Sequence, residues 1–551
     1  MSGPGAPRTE LRPGRIAAAA FVLILLAATA ALFAFDWHRG LAGLGDDSVS
    51  YLLQARLYDG SATPAMRAWA GTATHFPPLF PLVLALLGAS HDLLRAHLVV
   101  AATAAAALVA IFAFAARTTL DRRTAGALVA AFLLTPSAWI STLGILSDPQ
   151  YLLLSFVALA MAARPGRDRS LARTLTFGAV LAAAALTRSA AAALVAAYAL
   201  HVAIRVARRE TPARTAWLPL AMVAAAVVAW TALRVPLVGE NYGLVLRNVR
   251  AWIARDPAGF VEAIARQLAG GWIASFTADP AVAPPVRAFY LALGAVSAVG
   301  AVRAAARNRL DGWYVLAYLA MLALWLFPQE IMRRLLYPVV PLALLHAGEA
   351  LFAAGRRALA PPRAWMAVGL PGVLALLLTA PALVTTAQRA TDRTPPLAGS
   401  TLDLAGMPPY YTSIAYTYAR IDAGRHLAVL AGLERIGERT PPGARILWVR
   451  PDYVALLANR ASVPWLYRDG WEGTLRRMHA EGVTHVVVSA VTKGDLEGEG
   501  ATREFVTAEA LAPFTRAVIF VVDNPVRPGE EFRLVEIDRA ALAAHLEKER
   551  R

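Results

Sequence analysis

Residues 93–116 read LLRAHLVVAATAAAALVAIFAFAA, and Arg117 follows directly. A bilayer core about 30 Å thick takes roughly 20 apolar residues of helix, so this run is long enough to cross a membrane and it stops at a basic residue. Working outward, runs of similar character fall at 16–35, 122–141, 147–163, 172–187, 189–206, 215–234, 287–305, 311–328, 333–354 and 364–385, making about eleven spans. The whole chain agrees: its 551 residues are 57% apolar and 17% charged, against about 45–50% and about 25% in a soluble domain. Mean hydropathy is +0.49. Only residues from about 390 onward have soluble composition. The expected fold is an α-helical polytopic membrane domain over 1–389 with a C-terminal α/β soluble domain over 390–551. The run at 16–35, behind Arg12 and Arg15, lacks a clear small-residue cleavage site and reads as an uncleaved anchor.

Arginine sets the orientation. The net charge is +16, which by itself invites a nucleic-acid reading. Lysine is confined to Lys493 and Lys548, and the arginines cluster at 8–15, 117–123, 164–173, 205–214, 303–309 and 356–363. These clusters occupy the N-terminus and every second loop, which the positive-inside rule makes cytoplasmic. The charge is therefore an orientation code, and no nucleic-acid partner is expected. There is no cysteine, which excludes disulfides, thiolate metal sites and thiol nucleophiles.

With the N-terminus inside, 36–92, 142–146, 235–286, 329–332 and everything after 385 face the opposite compartment. Long structured loops usually carry function. The tail follows a Pro-containing linker (391–400) and a Tyr-rich stretch (408–418), with a helical pattern at about 422–437. Strand patterns at 444–449, 483–489, 515–523 and 531–537, with helical segments near 452–459 and 472–481, indicate a small α/β domain. It has no Gly-rich phosphate loop and no nucleophile elbow.

The loop at 36–92 opens with Asp46, Asp47, Ser48, Val49, Ser50 and Tyr51. Val49, Leu53 and Leu57 share one helical face, which predicts a short amphipathic helix resting at the membrane surface. Asp is a favoured helix cap, but two adjacent acids exceed what one cap requires. An acid near the bilayer is also costly unless it is paired or functional. The loop ends at His75-Phe76-Pro77-Pro78-Leu79-Phe80-Pro81, where the prolines fix a re-entry turn and His75 stands ready to donate to an anion. Ser147-Asp148-Pro149 opens the fourth span, a pattern that capping alone also explains. Arg188, Arg333 and Arg334 break the positive-inside pattern, and arginine at such a boundary acts as an ion-pair partner or anion ligand. Carboxylates suit proton abstraction from a hydroxyl and arginines suit phosphate.

At these residues the chain resembles the GT-C glycosyltransferases, in particular the bacterial branch of lipid A aminoarabinose transferases, protein O-mannosyltransferases and Rgt-type lipopolysaccharide transferases. The resemblance rests on the acidic pair Asp46-Asp47 with Tyr51, on Pro77-Pro78-Leu79-Phe80, on Ser147-Asp148 and on Arg334 to Pro338, where Leu335 replaces the family's aromatic residue. Some relatives place lysine directly before Pro-Pro-Leu, and this chain has Phe76 there. The resemblance implies a polyprenyl-phosphate sugar donor, a lipid, glycan or protein acceptor, and inverting transfer on the extracytoplasmic face of the bacterial inner membrane. By position, Asp46 is the base, and Asp47 and Asp148 belong to the catalytic pocket. Arg188, Arg333, Arg334 and His75 are the donor-phosphate ligands, and Tyr51 and Tyr337 line the substrate pocket. Metal dependence varies within the family, and no His/Glu cluster here demands a metal. The rival from another class is a transporter or lipid-handling protein on the same scaffold, which leaves the acidic pair unexplained.

Overall fold

The computed structural model describes residues 46–391 and 432–551, apart from 74–75, 119–121, 143, 164–169, 233–246, 248, 278–280, 325–328, 360–364, 434, 449–450, 465–469, 490–506 and 524–530. The predicted span at 16–35, the linker and the Tyr-rich stretch lie outside the described residues.

Helix dominates up to residue 391. The first loop folds as α1 (Asp46–Tyr58), α2 (Pro64–Ala73) and α3 (Leu79–Leu86). There follow α4 (Leu93–Thr118), α5 (Arg122–Leu133), α6 (Pro136–Ile140), α7 (Asp148–Ala162), α8 (Leu171–Ala185), α9 (Ala191–Ala207) and α10 (Ala213–Ala232). Beyond them come α11 (Pro257–Thr277), α12 (Pro284–Ala306), α13 (Leu310–Ala323), α14 (Gln329–Leu336), α15 (Val340–Ala358) and α16 (Met366–Thr391). Among the described residues four stretches, Arg95–Thr118, Ala213–Ala232, Pro284–Ala306 and Met366–Val384, are long and apolar enough to cross a membrane, and α7, α8, α9 and α13 are shorter apolar helices.

Two predicted spans are broken, each at a proline signal. The run at 122–141 divides before Pro136, where Thr135 caps the new helix by accepting from Ala138 N–H. The run at 333–354 divides at Tyr337–Val339, because Pro338 and Pro341 cannot donate to a continuous ladder. Arg334 therefore stands on a short helix of its own. The predicted external loop at 235–286 contains α11, whose inner face buries Phe260, Ile264, Gln267 and Ile273. Gly271 lets α11 approach α14: a Cβ there would lie 2.5 Å from Met332 Cγ and 3.0 Å from its backbone carbon.

The tail carries a five-stranded sheet built from β1 (Arg445–Trp448), β2 (Ala461–Pro464), β3 (His485–Val488), β4 (Thr515–Val522) and β5 (Phe532–Ile537). The order is β2-β1-β3-β5-β4. β1 is parallel to β2 and β3, and β5 is antiparallel to β3 and β4. Helices α17 (Gly470–Ala480) and α18 (Arg539–Arg550) complete it, packing Leu475, Met478, Leu542 and Leu546 against the sheet.

One expectation for the first loop is corrected. α1 is not a surface helix with one apolar face. Val49, Tyr51, Leu52, Leu53, Gln54 and Ala55 are all buried. The reason is packing from two sides. Val49, Leu52 and Leu53 join Phe80 and Leu84 of α3 and Ile446, Val454 and Phe532 of the tail in one apolar cluster.

Candidate functional site

Four segments distant in sequence converge at one end of the helices. Asp148 sits at the start of α7, held by the Ser-Asp-Pro helix opening, and is completely buried. A buried carboxylate is costly unless it is paired and hydrogen-bonded. Here Oδ2 meets Arg188 Nη1 at 2.5 Å, from the turn between α8 and α9. The same oxygen accepts from Arg334 Nη2 at 3.0 Å and Nε at 3.2 Å. Arg334 turns its remaining terminal nitrogen, Nη1, to Asp47 Oδ2 at 2.6 Å, at the start of α1. The chain of charges runs Arg188, Asp148, Arg334, Asp47. It is most enclosed at Asp148, and Arg334 and Asp47 are 27% and 29% exposed. Two carboxylates and two guanidiniums balance. Asp47 and Asp148 are each matched by arginine, and Asp148 Oδ1 is buried without a hydrogen-bond partner.

Tyr51 fixes α1 to this centre. Its hydroxyl and that of Ser147 lie 2.8 Å apart, and its ring packs against Phe76 and Phe80. Burial pushes the Tyr51 phenol above its ordinary range, and the nearby Asp47 adds to the rise. Tyr337, just past α14, is buried with its ring against Phe132. Arg333 lies half-buried on α14 beside Arg334.

The sequence therefore named four residues that the structure joins directly: Asp47, Asp148, Arg188 and Arg334. Asp46 begins α1, but its side chain is outside the described residues, and so is His75. Beneath the charges lies a set of hydroxyls that the sequence reading did not single out. Tyr151 and Tyr314 hydroxyls lie 2.8 Å apart, Tyr151 donates to Ala190 O, and Tyr318 donates to Leu335 O at 2.8 Å, the residue after Arg334. Gln150 Nε2 reaches Thr187 Oγ1 at 3.4 Å, next to Arg188. The available signal was the repeat of Tyr314 and Tyr318 on one face of an apolar helix. These contacts tether the segments that bear Arg188 and Arg334.

No family description and no curated protein matches the sequence. The fold does have counterparts. The likeness is one of fold. Among solved structures it is similar to ArnT from Cupriavidus metallidurans bound to undecaprenyl phosphate, at 14% identity and TM-score 0.51, with 94% of this chain and 98% of that one covered. It is also similar to the Archaeoglobus fulgidus oligosaccharyltransferase in complex with Zn and sulfate, at 12% identity and TM-score 0.52, with 93% and 72% covered.

Proposed function

We propose that this protein is a polytopic membrane glycosyltransferase that moves a sugar from a polyprenyl-phosphate donor to a hydroxyl of a lipid, glycan or protein acceptor, with inversion. The observation that carries the reading is the convergence of Asp47, Asp148, Arg188 and Arg334 at one end of the helices, in a fold shared with a transferase solved with undecaprenyl phosphate bound. About eleven spans over 1–389, two of them broken at proline, cross the bacterial inner membrane with the N-terminus cytoplasmic, and the 390–551 domain lies on the extracytoplasmic side with the site.

Asp148 holds Arg188 and Arg334 in place before substrate arrives, so the leaving phosphate meets guanidiniums that are already positioned. Arg334 already uses Nη1 on Asp47, and an incoming phosphate gains it by displacing that carboxylate, the more exposed of its two partners. Arg333 and His75 are assigned as further ligands of the donor phosphate. Asp46 takes the proton of the acceptor hydroxyl as the oxygen attacks the anomeric carbon and the polyprenyl phosphate departs. Tyr51 and Tyr337 frame the pocket from within the packed core. No metal enters this scheme.

The test is turnover of a polyprenyl-phosphate sugar by the purified protein with candidate acceptors, comparing wild type with Asp46→Asn and Arg334→Gln. Loss of turnover in Asp46→Asn and a raised donor KM in Arg334→Gln are expected. Unchanged turnover in Asp46→Asn sinks the base assignment. Absence of turnover with every donor, together with substrate flux across vesicles, makes the protein a transporter.

A further inference from the structure

The opposite end of the helices holds a second polar centre. Where α7 and α9 end and α8, α10 and α13 begin, a cavity of about 520 Å³ opens, within the range of small-molecule sites. Phe114, Leu159, Phe177 and Val202 give it an apolar floor, and Arg173, Arg205, Arg208, Arg307 and Arg309 surround them.

These five arginines are not equivalent. Arg309 is spent on two acids: it binds Asp311 Oδ2 at 2.6 Å and both oxygens of Glu349 at 3.0 and 2.9 Å. Arg205 meets Glu210 at 3.3 Å. Arg173 donates to a backbone carbonyl, that of Met161. Arg173, Arg208 and Arg307 have no acidic partner among the described residues. The turn that carries Arg307 is rigid: Asn308 adopts φ 54°, its carbonyl lies 2.8 Å from His201 Nδ1, and its side chain joins Trp313 and the His201 carbonyl. Arg173, Arg208 and Arg307, without an acidic partner among the described residues, stand around an apolar floor, a setting that suits an anion with an apolar part.

The flanks indicate the source of that anion. Leu171 and Leu175 on α8 and Trp217 on α10 are 60%, 40% and 41% exposed, on the same turns that supply the rim. Trp favours the membrane interface, and exposed leucine beside it is a surface for acyl chains. Basic pockets between spanning helices on the arginine-rich side are suited to anionic lipid headgroups. We propose that this cavity binds the phosphate headgroup of an anionic phospholipid, with its acyl chains along α8 and α10. The assignment rests on the membrane reading and not on the transfer chemistry.

Native mass spectrometry of the full-length protein released from micelles tests it, with phosphatidylglycerol, phosphatidylethanolamine of matched chains, and glycerol phosphate as three separate additions. Phosphatidylglycerol should be retained preferentially. The Arg208→Gln/Arg307→Gln double variant, which changes two exposed side chains, should weaken that retention by roughly twentyfold or more, and Arg208→Lys/Arg307→Lys should keep most of it. Equal retention of the two lipids, or retention unchanged by the glutamine pair, overturns the proposal. Glycerol phosphate that binds as well as the lipid and displaces it also overturns it, since the site then takes a soluble anion. Sugar transfer measured on the same variants should be unchanged, so failure of one reading leaves the other standing.

Discussion

Asp148 allows the charge chain to be tested quantitatively. One of its oxygens serves both Arg188 and Arg334, at 2.5 and 3.0 Å, and the carboxylate has no exposure. Asparagine at this position keeps the shape and removes the charge, leaving two guanidiniums about a buried neutral amide. Two unit charges 4 Å apart interact by about 4 kcal/mol at an effective dielectric of about 20, and removing one partner of a buried pair costs about 3–5 kcal/mol. The two arginines do not suffer equally. Arg334 keeps Asp47 at 2.6 Å, whereas Arg188, 12% exposed, has no other acid among the described residues. Arg188→Met in the Asp148→Asn background therefore removes the stranded charge and should recover about 2–3 kcal/mol, a coupling expected of contacting residues. The assay is urea unfolding in mixed micelles, read by tryptophan fluorescence, on wild type, both single variants and the double. Sugar transfer should stay lost in the double variant although stability returns. Additivity of the single effects within about 0.5 kcal/mol refutes the shared-oxygen account.

Two further outcomes follow from packing and burial. Gly271→Val places atoms within 2.5–3.0 Å of Met332, so it should cost about 1–3 kcal/mol and raise the donor KM by shifting α14, with Met332→Ala recovering part of the loss; unchanged kinetics count against α11 as the support of Arg334. In the tail, burial holds the His485 imidazole below its usual range, with Glu536 opposing the shift. The unfolded state then binds the proton more readily, so this contribution is intact above about pH 6.5 and is lost as pH falls through the folded value, at no more than about 1.4 kcal/mol per pH unit. Tail unfolding compared between wild type and His485→Gln at pH 5 to 8 measures it, and identical pH profiles refute it.

The pattern of what the sequence disclosed follows from the range of each interaction. Apolar runs and prolines are local, so most helices, and four of the five strands, stood where hydropathy and alternation placed them. β2 escaped because Ala461–Pro464 is four residues long and finds its partner only in β1. Arg188, Arg334 and Asp148 were legible as residues because charge at a membrane boundary is anomalous in any context. That Asp148 would take both arginines on one oxygen, while Arg334 also reached Asp47, depends on four segments meeting. No spacing encodes that meeting. The same holds for the Tyr151–Tyr314 contact, whose members look like ordinary aromatic residues in apolar helices until their hydroxyls are seen 2.8 Å apart.

The burial of α1 bears on what the tail does. A separate recognition module would touch the helices through polar surface and leave α1 amphipathic. Instead Val49, Leu52 and Leu53 share one apolar cluster with Ile446, Val454 and Phe532, and each such side chain contributes about 1.5–3 kcal/mol when fully buried. α1 is also the element that brings Asp47 to Arg334 and Tyr51 to Ser147. Its position is thus fixed from the tail side by apolar packing and from the helix side by a charge pair and a hydroxyl contact. Loosening either side moves Asp47 relative to Arg334, so the tail bears on the candidate site as one of its walls.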